Sequence, residues 1–130
     1  MKDLYNNVKG VIALVPQAIA SDTDTVGVII DTLGYESVKL SLSTGAVTAG
    51  TVVIKEVNES DSSSMASETV IPAGRLTGTI ATVSTANTIN EIGIYPVKRY
   101  IRVEVTTASS ADLVVAGLCD LGHPAIASVR

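Results

Sequence analysis

The sequence predicts a single all-β domain, an antiparallel β-sandwich or jelly-roll-like barrel preceded by an N-terminal arm. A chain of 130 residues suits one domain with one hydrophobic core. Its apolar residues make up 46% of the chain and include neither Phe nor Trp. Val, Ile, Leu and Ala dominate, and β-branched side chains favour strands. Turn-forming residues recur at short intervals, which leaves little room for the helices that connect parallel strands.

The N-terminus predicts an arm at residues 1–9, ahead of a domain at residues 10–130. Leu4, Tyr5 and Val8 are spaced for one face of a helical turn. Nine residues are too few for a helix that is stable alone. We therefore expect the arm to dock on its own domain, to dock on a partner, or to remain loose.

The next segment superficially resembles a secretion signal. An apolar run at Val11–Val15 is followed by Ala18-Ile19-Ala20, which imitates a cleavage site. Pro16 and Gln17 interrupt the apolar run. We therefore expect a protein that is made and used without export.

Two strands are predicted by alternation of apolar and polar residues, at Ser37–Ser43 and Val97–Val105. In the second strand the predicted core residues are Ile101, Val103 and Val105, and the predicted outward residues are Tyr100, Arg102 and Glu104. The outward row, with Arg99 beside it, is a candidate protomer contact. A solvated strand face is the competing interpretation.

Four more apolar runs predict more fully buried strands: Val26–Ile30, Thr51–Val57, Ile89–Tyr95 and Leu113–Leu121. Turn chemistry lies between strands at Leu33-Gly34, Thr44-Gly45, Ala49-Gly50, Ala73-Gly74 and Ser109–Asp112. The polar, Ser-rich segment Asn58–Thr69 predicts an exposed loop.

Residues able to carry catalysis are few. His123 is the only histidine and Cys119 the only cysteine, which excludes a site with several histidines. Asp22 and Asp24, and the later group of Glu56, Glu59 and Asp61, do not follow a calcium-loop pattern. Phosphate-loop and nucleophile-elbow motifs are also missing. We therefore predict no enzyme activity, no cofactor and no metal site.

The charge pattern limits the partners. The net charge is −4, and the basic residues concentrate only at Lys98, Arg99 and Arg102. We therefore expect no nucleic-acid binding. Nothing approaches the roughly 20 apolar residues of a membrane span, so we expect no membrane insertion. A carbohydrate-binding module remains an alternative, although only four tyrosines could stack on a sugar ring.

Several short motifs, taken in order, resemble those of head decoration proteins of tailed bacteriophages, also called cement or capsid-stabilising proteins. The motifs are Met1–Lys9, Ala13–Pro16, Gly34–Val38, Ser43–Gly45, Glu59–Asp61, Lys98–Val103 and Gly122–Ala125. The chain departs from that group after Glu59–Asp61. An aromatic residue often follows there, whereas Ser62–Ser67 has Met65 as its one large apolar side chain.

The resemblance implies a structural virion protein made in the host cytoplasm. Its expected partners are the major capsid protein, which it would stabilise from the outer surface, and copies of itself, with a homotrimer favoured. Leu4, Tyr5, Val8, Arg99, Tyr100 and Arg102 are the candidate contact residues. Modest affinity at each of many repeated sites can stabilise a shell. A tail or head-completion protein of similar fold is the other alternative.

Overall fold

A computed structural model describes residues 3–125, and its chain is 64% strand. The strands are β1 Val8–Ile19, β2 Asp24–Val26, β3 Ile30–Asp31, β4 Tyr35–Ser60, β5 Thr69–Val70, β6 Leu76–Thr77, β7 Ile89–Ile94 and β8 Tyr100–Pro124. The one helical element in the described range is a short 3₁₀ turn at Ala73–Arg75. All strand pairs are antiparallel. The predicted all-β, antiparallel, single-domain class is confirmed.

Two long strands organise the sheet. β4 and β8 pair from Tyr35 with Pro124 to Ser60 with Tyr100, so each strand runs through two halves of the sheet. Half A contains β1, β7, β6, the start of β4 and the end of β8. Half B contains β2, β3, β5, the end of β4 and the start of β8. Buried residues of both halves form one hydrophobic cluster, so the two inner faces share a core.

The long strands bend where the sequence predicted turns between strands. The β4–β8 register shifts repeatedly between Thr44 and Thr51, and Gly50 has a φ of +82°. On β8, Ser109 and Ser110 also have positive φ. The turns predicted at Thr44-Gly45, Ala49-Gly50 and Ser109–Asp112 are therefore wrong, because these residues form irregularities within continuous strands. Glycine and left-handed residues serve a β-bulge as well as a turn.

Alternation along β8 places most of its odd-numbered residues in the core, whereas Ser109 and His123 are exposed. Ile101, Val103 and Val105 are buried as predicted, and the same row continues through Leu113, Val115, Cys119 and Leu121. The runs predicted to be fully buried are instead half-buried. Ile89, Val114 and Leu118 are exposed on the outer face of half A, and the predicted strand at Val26–Ile30 is split between β2 and β3. Some outward-facing residues of these strands are apolar, so the sequence does not show the alternation of apolar and polar residues that marks a half-buried strand.

The two long strands fold back at their bends. The bends therefore lie at one end of the domain, and the strand ends of both halves lie together at the other. We call residues 20–23, 45–50, 84–88 and 108–112 the bend end. Residues 3–7, 32–34, 61–68, 95–99 and 122–125 form the loop end. Val8 and Lys9, counted with the arm from sequence, are the first residues of β1.

Two predictions about the loop end are wrong. Val97–Arg99 precede β8 and lie in the loop after β7. Asn58, Glu59 and Ser60 are buried at the end of β4, although the sequence predicted an exposed loop there. The reason in the second case is side-chain pairing: Glu59 binds Arg75, and Ser60 Oγ donates to Ala66 O at 2.6 Å.

Candidate docking surface at the loop end

The loop end carries the most exposed large apolar side chains of the described residues. Five such side chains are at least 65% exposed: Leu4, Tyr5, Leu33, Tyr95 and Val97. They come from three separate loop-end segments. We call these five residues the loop-end surface. Exposed apolar side chains gathered in one region of a soluble protein typically mark an interaction site, whereas scattered ones need no explanation.

Two grooves run between these side chains. The larger, of about 930 Å³, is lined in part by Leu33, Tyr95 and Val97. The smaller, of about 440 Å³, is lined in part by Leu4 and by Val8 of β1. Ser37 and His123 line both grooves, and Ser37 Oγ lies 2.5 Å from His123 Nδ1. The Ser37–His123 pair therefore lies between the two grooves.

A buried carboxylate holds the loop that displays Tyr95 and Val97. Glu59 is 3% exposed and pairs with both terminal nitrogens of Arg75. It also accepts hydrogen bonds from the backbone N–H groups of Val97, at 2.9 Å, and Lys98, at 3.3 Å. A carboxylate with several charge-assisted bonds fixes geometry more firmly than neutral contacts do. The backbone of residues 95–98 is therefore fastened to the domain although the side chains of Tyr95 and Val97 are exposed.

Arg75 completes this anchor from the other side. Its backbone oxygen accepts a hydrogen bond from Tyr95 N at 2.9 Å, and its Nη1 donates to Tyr95 O at 3.3 Å. Arg75 belongs to the 3₁₀ turn that precedes β6. The exposed loop is thus tied both to β4, through Glu59, and to the β6 edge of the sheet, through Arg75.

The electrostatics of Glu59 follow from this environment. Burial by itself raises the pKa of the carboxyl group, because a charge is costly to remove from water. The hydrogen bonds from Arg75, Val97 and Lys98 outweigh burial and hold the pKa below its ordinary value. Glu59 is therefore ionised at neutral pH and serves as an anion for its donors.

A second ion pair fixes the neighbouring loop. Arg99 donates to both carboxylate oxygens of Asp31, at 2.9 and 2.7 Å, and its guanidinium lies 5.0 Å from the centre of the Tyr100 ring. The Arg99 hydrogen bonds are the main cause that lowers the pKa of Asp31. Thr32 Oγ1 also donates to Arg99 O at 2.7 Å. Leu33 follows directly, so this pair positions the segment that presents Leu33.

The candidate residues from sequence divide into two groups. Leu4, Tyr5 and Arg99 lie at the loop end, and Val8 follows as the first residue of β1. Leu4 and Val8 line the smaller groove, and Arg99 lines the larger. Leu4 O accepts hydrogen bonds from the N–H groups of Asn7 and Val8, which closes a turn before β1. Tyr100 and Arg102 lie on β8 outside both grooves. Arg102 pairs with Glu68 at 2.7 Å, so it braces the Ser-rich loop against half B.

Sequence reasoning missed Leu33, Tyr95 and Val97 as site residues. Leu33 was assigned to a turn, and the other two to buried or half-buried strands. One signal could have identified the loop: Pro96 lies between Tyr95 and Val97, and proline rarely continues a central strand. No local pattern indicates the pairing of Glu59 with Arg75.

Cys119 and the acidic side chains are the other reactive groups that the sequence singles out. Cys119 lies in the core, where burial raises the pKa of its thiol to about 12. Among residues 3–125, no group of three or more His, Cys, Asp and Glu side chains is arranged to hold a metal ion. Within the same range, no helix has the length and hydropathy needed to cross a bilayer.

Comparison with known proteins provides structural neighbours. No protein-family model matches the chain, and no curated protein is significantly similar to it. The PBSX exported protein XepA is similar in structure, with a TM-score of 0.60 and 19% identity over 94% of this chain and 39% of that chain. The SPBc2 prophage-derived protein YomS aligns with a TM-score of 0.43 and 18% identity over 88% of this chain and 93% of that chain. Both are phage-derived proteins. The chain spans about 39% of the XepA chain, and at this identity the similarity establishes a shared fold.

Proposed function

We propose that this protein is a structural component of a bacteriophage virion that binds the outer surface of the capsid through its loop-end surface and stabilises the shell. Its proposed partners are the major capsid protein and further copies of itself, for which the family resemblance favours a trimer. The role is one of binding, without catalysis.

One observation carries the proposal. The loop with the two most exposed large apolar side chains, Tyr95 at 68% and Val97 at 72%, is fastened by the buried Glu59. Exposing apolar side chains to water is unfavourable, so the isolated protein gains nothing by fixing them in an exposed position. A partner does, because a surface ordered in advance loses less conformational entropy on binding. Repetition over many capsid sites then strengthens a modest individual contact.

Two further observations support a phage context. The motifs quoted from Met1–Lys9 to Gly122–Ala125 resemble those of phage head decoration proteins. The fold is shared with XepA, a phage-derived protein, over 94% of this chain. The shared fold does not depend on the loop-end surface, whereas the motifs include Leu4, Tyr5 and Glu59 of the geometric argument.

The test is binding of the purified protein to capsids that lack it, measured by co-sedimentation. We expect the Tyr95→Ser, Val97→Ser double variant to lose at least tenfold in affinity, because two exposed apolar contacts are removed. The matched control is Val26→Ser with Val70→Ser, two exposed valines of half B, which should bind like the parent. Equal binding of the parent and the loop-end variant would contradict the proposed surface.

The copy number per particle separates decoration from the other virion role. Copies over the whole head support a decoration protein, whereas a single ring would indicate a tail or head-completion protein. The arm is tested by Leu4→Ser with Tyr5→Ser, because deletion of residues 1–9 would also remove Val8 and Lys9 from β1. Undiminished capsid binding by this variant would show that the arm does not contribute to the capsid contact.

A further inference from the structure

We propose that the larger groove of the loop end receives a basic side chain, arginine or lysine, from the protein partner. The inference rests on the proposed function, since it names the partner chemistry at the same surface.

Almost every carboxylate of this protein has a partner within residues 3–125. Of its thirteen Asp and Glu side chains, ten accept a hydrogen bond or form an ion pair. The three that do neither in that range are Glu36, Asp61 and Asp112. Glu36 and Asp61 both line the larger groove, whereas Asp112 lies at the bend end.

The cations that line the same groove are directed elsewhere. Arg99 binds Asp31 with two nitrogens, and Lys98 Nζ donates to Thr69 Oγ1 at 3.2 Å. Neither forms an ion pair with Glu36 or Asp61. The bond to a hydroxyl leaves the Lys98 charge in place, but the two unpaired carboxylates outnumber this one ammonium group, so the net charge favours a cationic group by charge complementarity.

The apolar side chains around these carboxylates favour a long basic side chain. Tyr95 presents an exposed ring, on which a guanidinium or ammonium group can lie, as Arg99 already lies over Tyr100. Leu33 and Val97 offer exposed apolar surface that the methylene groups of arginine or lysine can cover. A sugar could use the ring and the carboxylates, but its hydroxyl groups would leave Leu33 and Val97 without a matching contact.

The test that is independent of capsids is a nuclear magnetic resonance titration of the labelled protein with N-acetyl-arginine amide. We expect millimolar binding with shift changes confined to residues 34–37, 61 and 95–98. N-acetyl-norleucine amide, which has no charge, should produce at least fivefold weaker changes. The Glu36→Gln, Asp61→Asn variant should lose the arginine response, and Asp112→Asn should keep it. No response, a response elsewhere, or one that persists in the double variant overturns the proposal.

A second arm separates this inference from the proposed function. In the capsid assay, Glu36→Gln with Asp61→Asn should weaken binding about tenfold at low salt, and the difference should shrink at high salt. Capsid binding that is unchanged in this variant overturns the basic-side-chain proposal while the loop-end surface stands. A parent protein that binds arginine amide but no capsid overturns the proposed function alone. Shift changes in the groove with chito-oligosaccharides but not with arginine amide would replace the proposal with a sugar site.

Discussion

The two ends of the molecule differ in which side chains, polar or apolar, lie at the surface. At the bend end, polar groups bind one another: Asp22 accepts hydrogen bonds from the N–H groups of Ser110 and Ala111, and Thr44 Oγ1 donates to Thr85 O. At the loop end, comparable polar bonds lie beneath the surface, and apolar side chains such as Tyr95 and Val97 remain outside. None of the exposed large apolar side chains of the described residues lies at the bend end. The loop end leaves five such side chains at least 65% exposed, as the proposed docking surface requires.

The two ends also differ in their ion pairs. Both contain residues with positive φ, at Gly50 and Ser109 of the bend end and at Gly34 and Met65 of the loop end. Of the two ends, only the loop end has side-chain ion pairs among the described residues, Glu59 with Arg75 and Asp31 with Arg99. Changes of charge or of pH should therefore act on the loop end, while sterically demanding substitutions should damage the bend end, where backbone atoms crowd Gly50.

The largest effect is expected from Gly50→Ala. A Cβ at this position would lie 2.5 Å from Ala111 Cα and 2.6 Å from Ala108 O, both backbone atoms that cannot move aside. Together with the positive φ, this should lower the free energy of unfolding by about 3 kcal/mol in denaturant titrations. Gly34→Ala separates the two causes, because Gly34 has a φ of +89° but open space around it, and should cost about 1 kcal/mol. Equal losses in both variants would show that crowding at the bend is unimportant.

The second effect is expected from Glu59→Gln. The substitution keeps the shape of the side chain but removes the charge that four donors share, which should cost about 2 kcal/mol of unfolding free energy. Hydrogen exchange should accelerate at the amides of Val97 and Lys98, while the bend end stays protected. Asp112→Asn is the matched control and should change neither quantity. Uniform acceleration over the whole domain would show that Glu59 supports the fold without a special role in this loop.

A third, smaller effect is expected from acid. The pKa of Glu59 is lower in the folded chain than its ordinary value of 4.5, so its stabilising contribution is complete above that value. It should be lost progressively as the pH falls below 4.5 through the folded pKa. The difference in unfolding free energy between the parent and Glu59→Gln should therefore be constant between pH 7 and 6 and shrink toward pH 3. A difference that persists unchanged at pH 3 would contradict the ionised state of Glu59.

The smallest effect on stability is expected at Val97, a residue whose substitution should weaken capsid binding. Val97→Ser should change the free energy of unfolding by less than about 0.5 kcal/mol, because the side chain is already in water. Val103→Ser, in the core of the same region, should cost about 3 kcal/mol, and both can be measured by thermal unfolding. A large loss in Val97→Ser would indicate that this residue packs within the domain.

The sequence predicts the core of this fold better than its connections. Ile101, Val103 and Val105 stand out because polar residues alternate with them, and alternation depends only on neighbours along the chain. Gly50 and Ser109 could not be distinguished from turn residues, because the same left-handed conformation serves both a turn and a bulge.

The sequence indicates only part of the candidate surface. Leu4 and Tyr5 are candidates because their spacing suits one face of a helical turn in an arm too short to be stable alone. Val97 resembled the first residue of a strand, and only the pairing of Glu59 with Arg75 and with the backbone of the loop explains why it stays outside. Such long-range pairs leave no periodic trace in the sequence.

The two long strands also determine how the chain can fold. Ser60 pairs with Tyr100, whereas Tyr35 pairs with Pro124, so the loop that closes the last pair is more than twice as long as the loop that closes the first. Because the entropy of loop closure grows with length, we expect pairing to begin near Ser60 and Tyr100 and to proceed through the bend toward the chain ends. The loop that presents Tyr95 and Val97 lies beside that starting point, so this part of the loop-end surface would form early, whereas Leu4 and Tyr5 would reach their places last, together with β1.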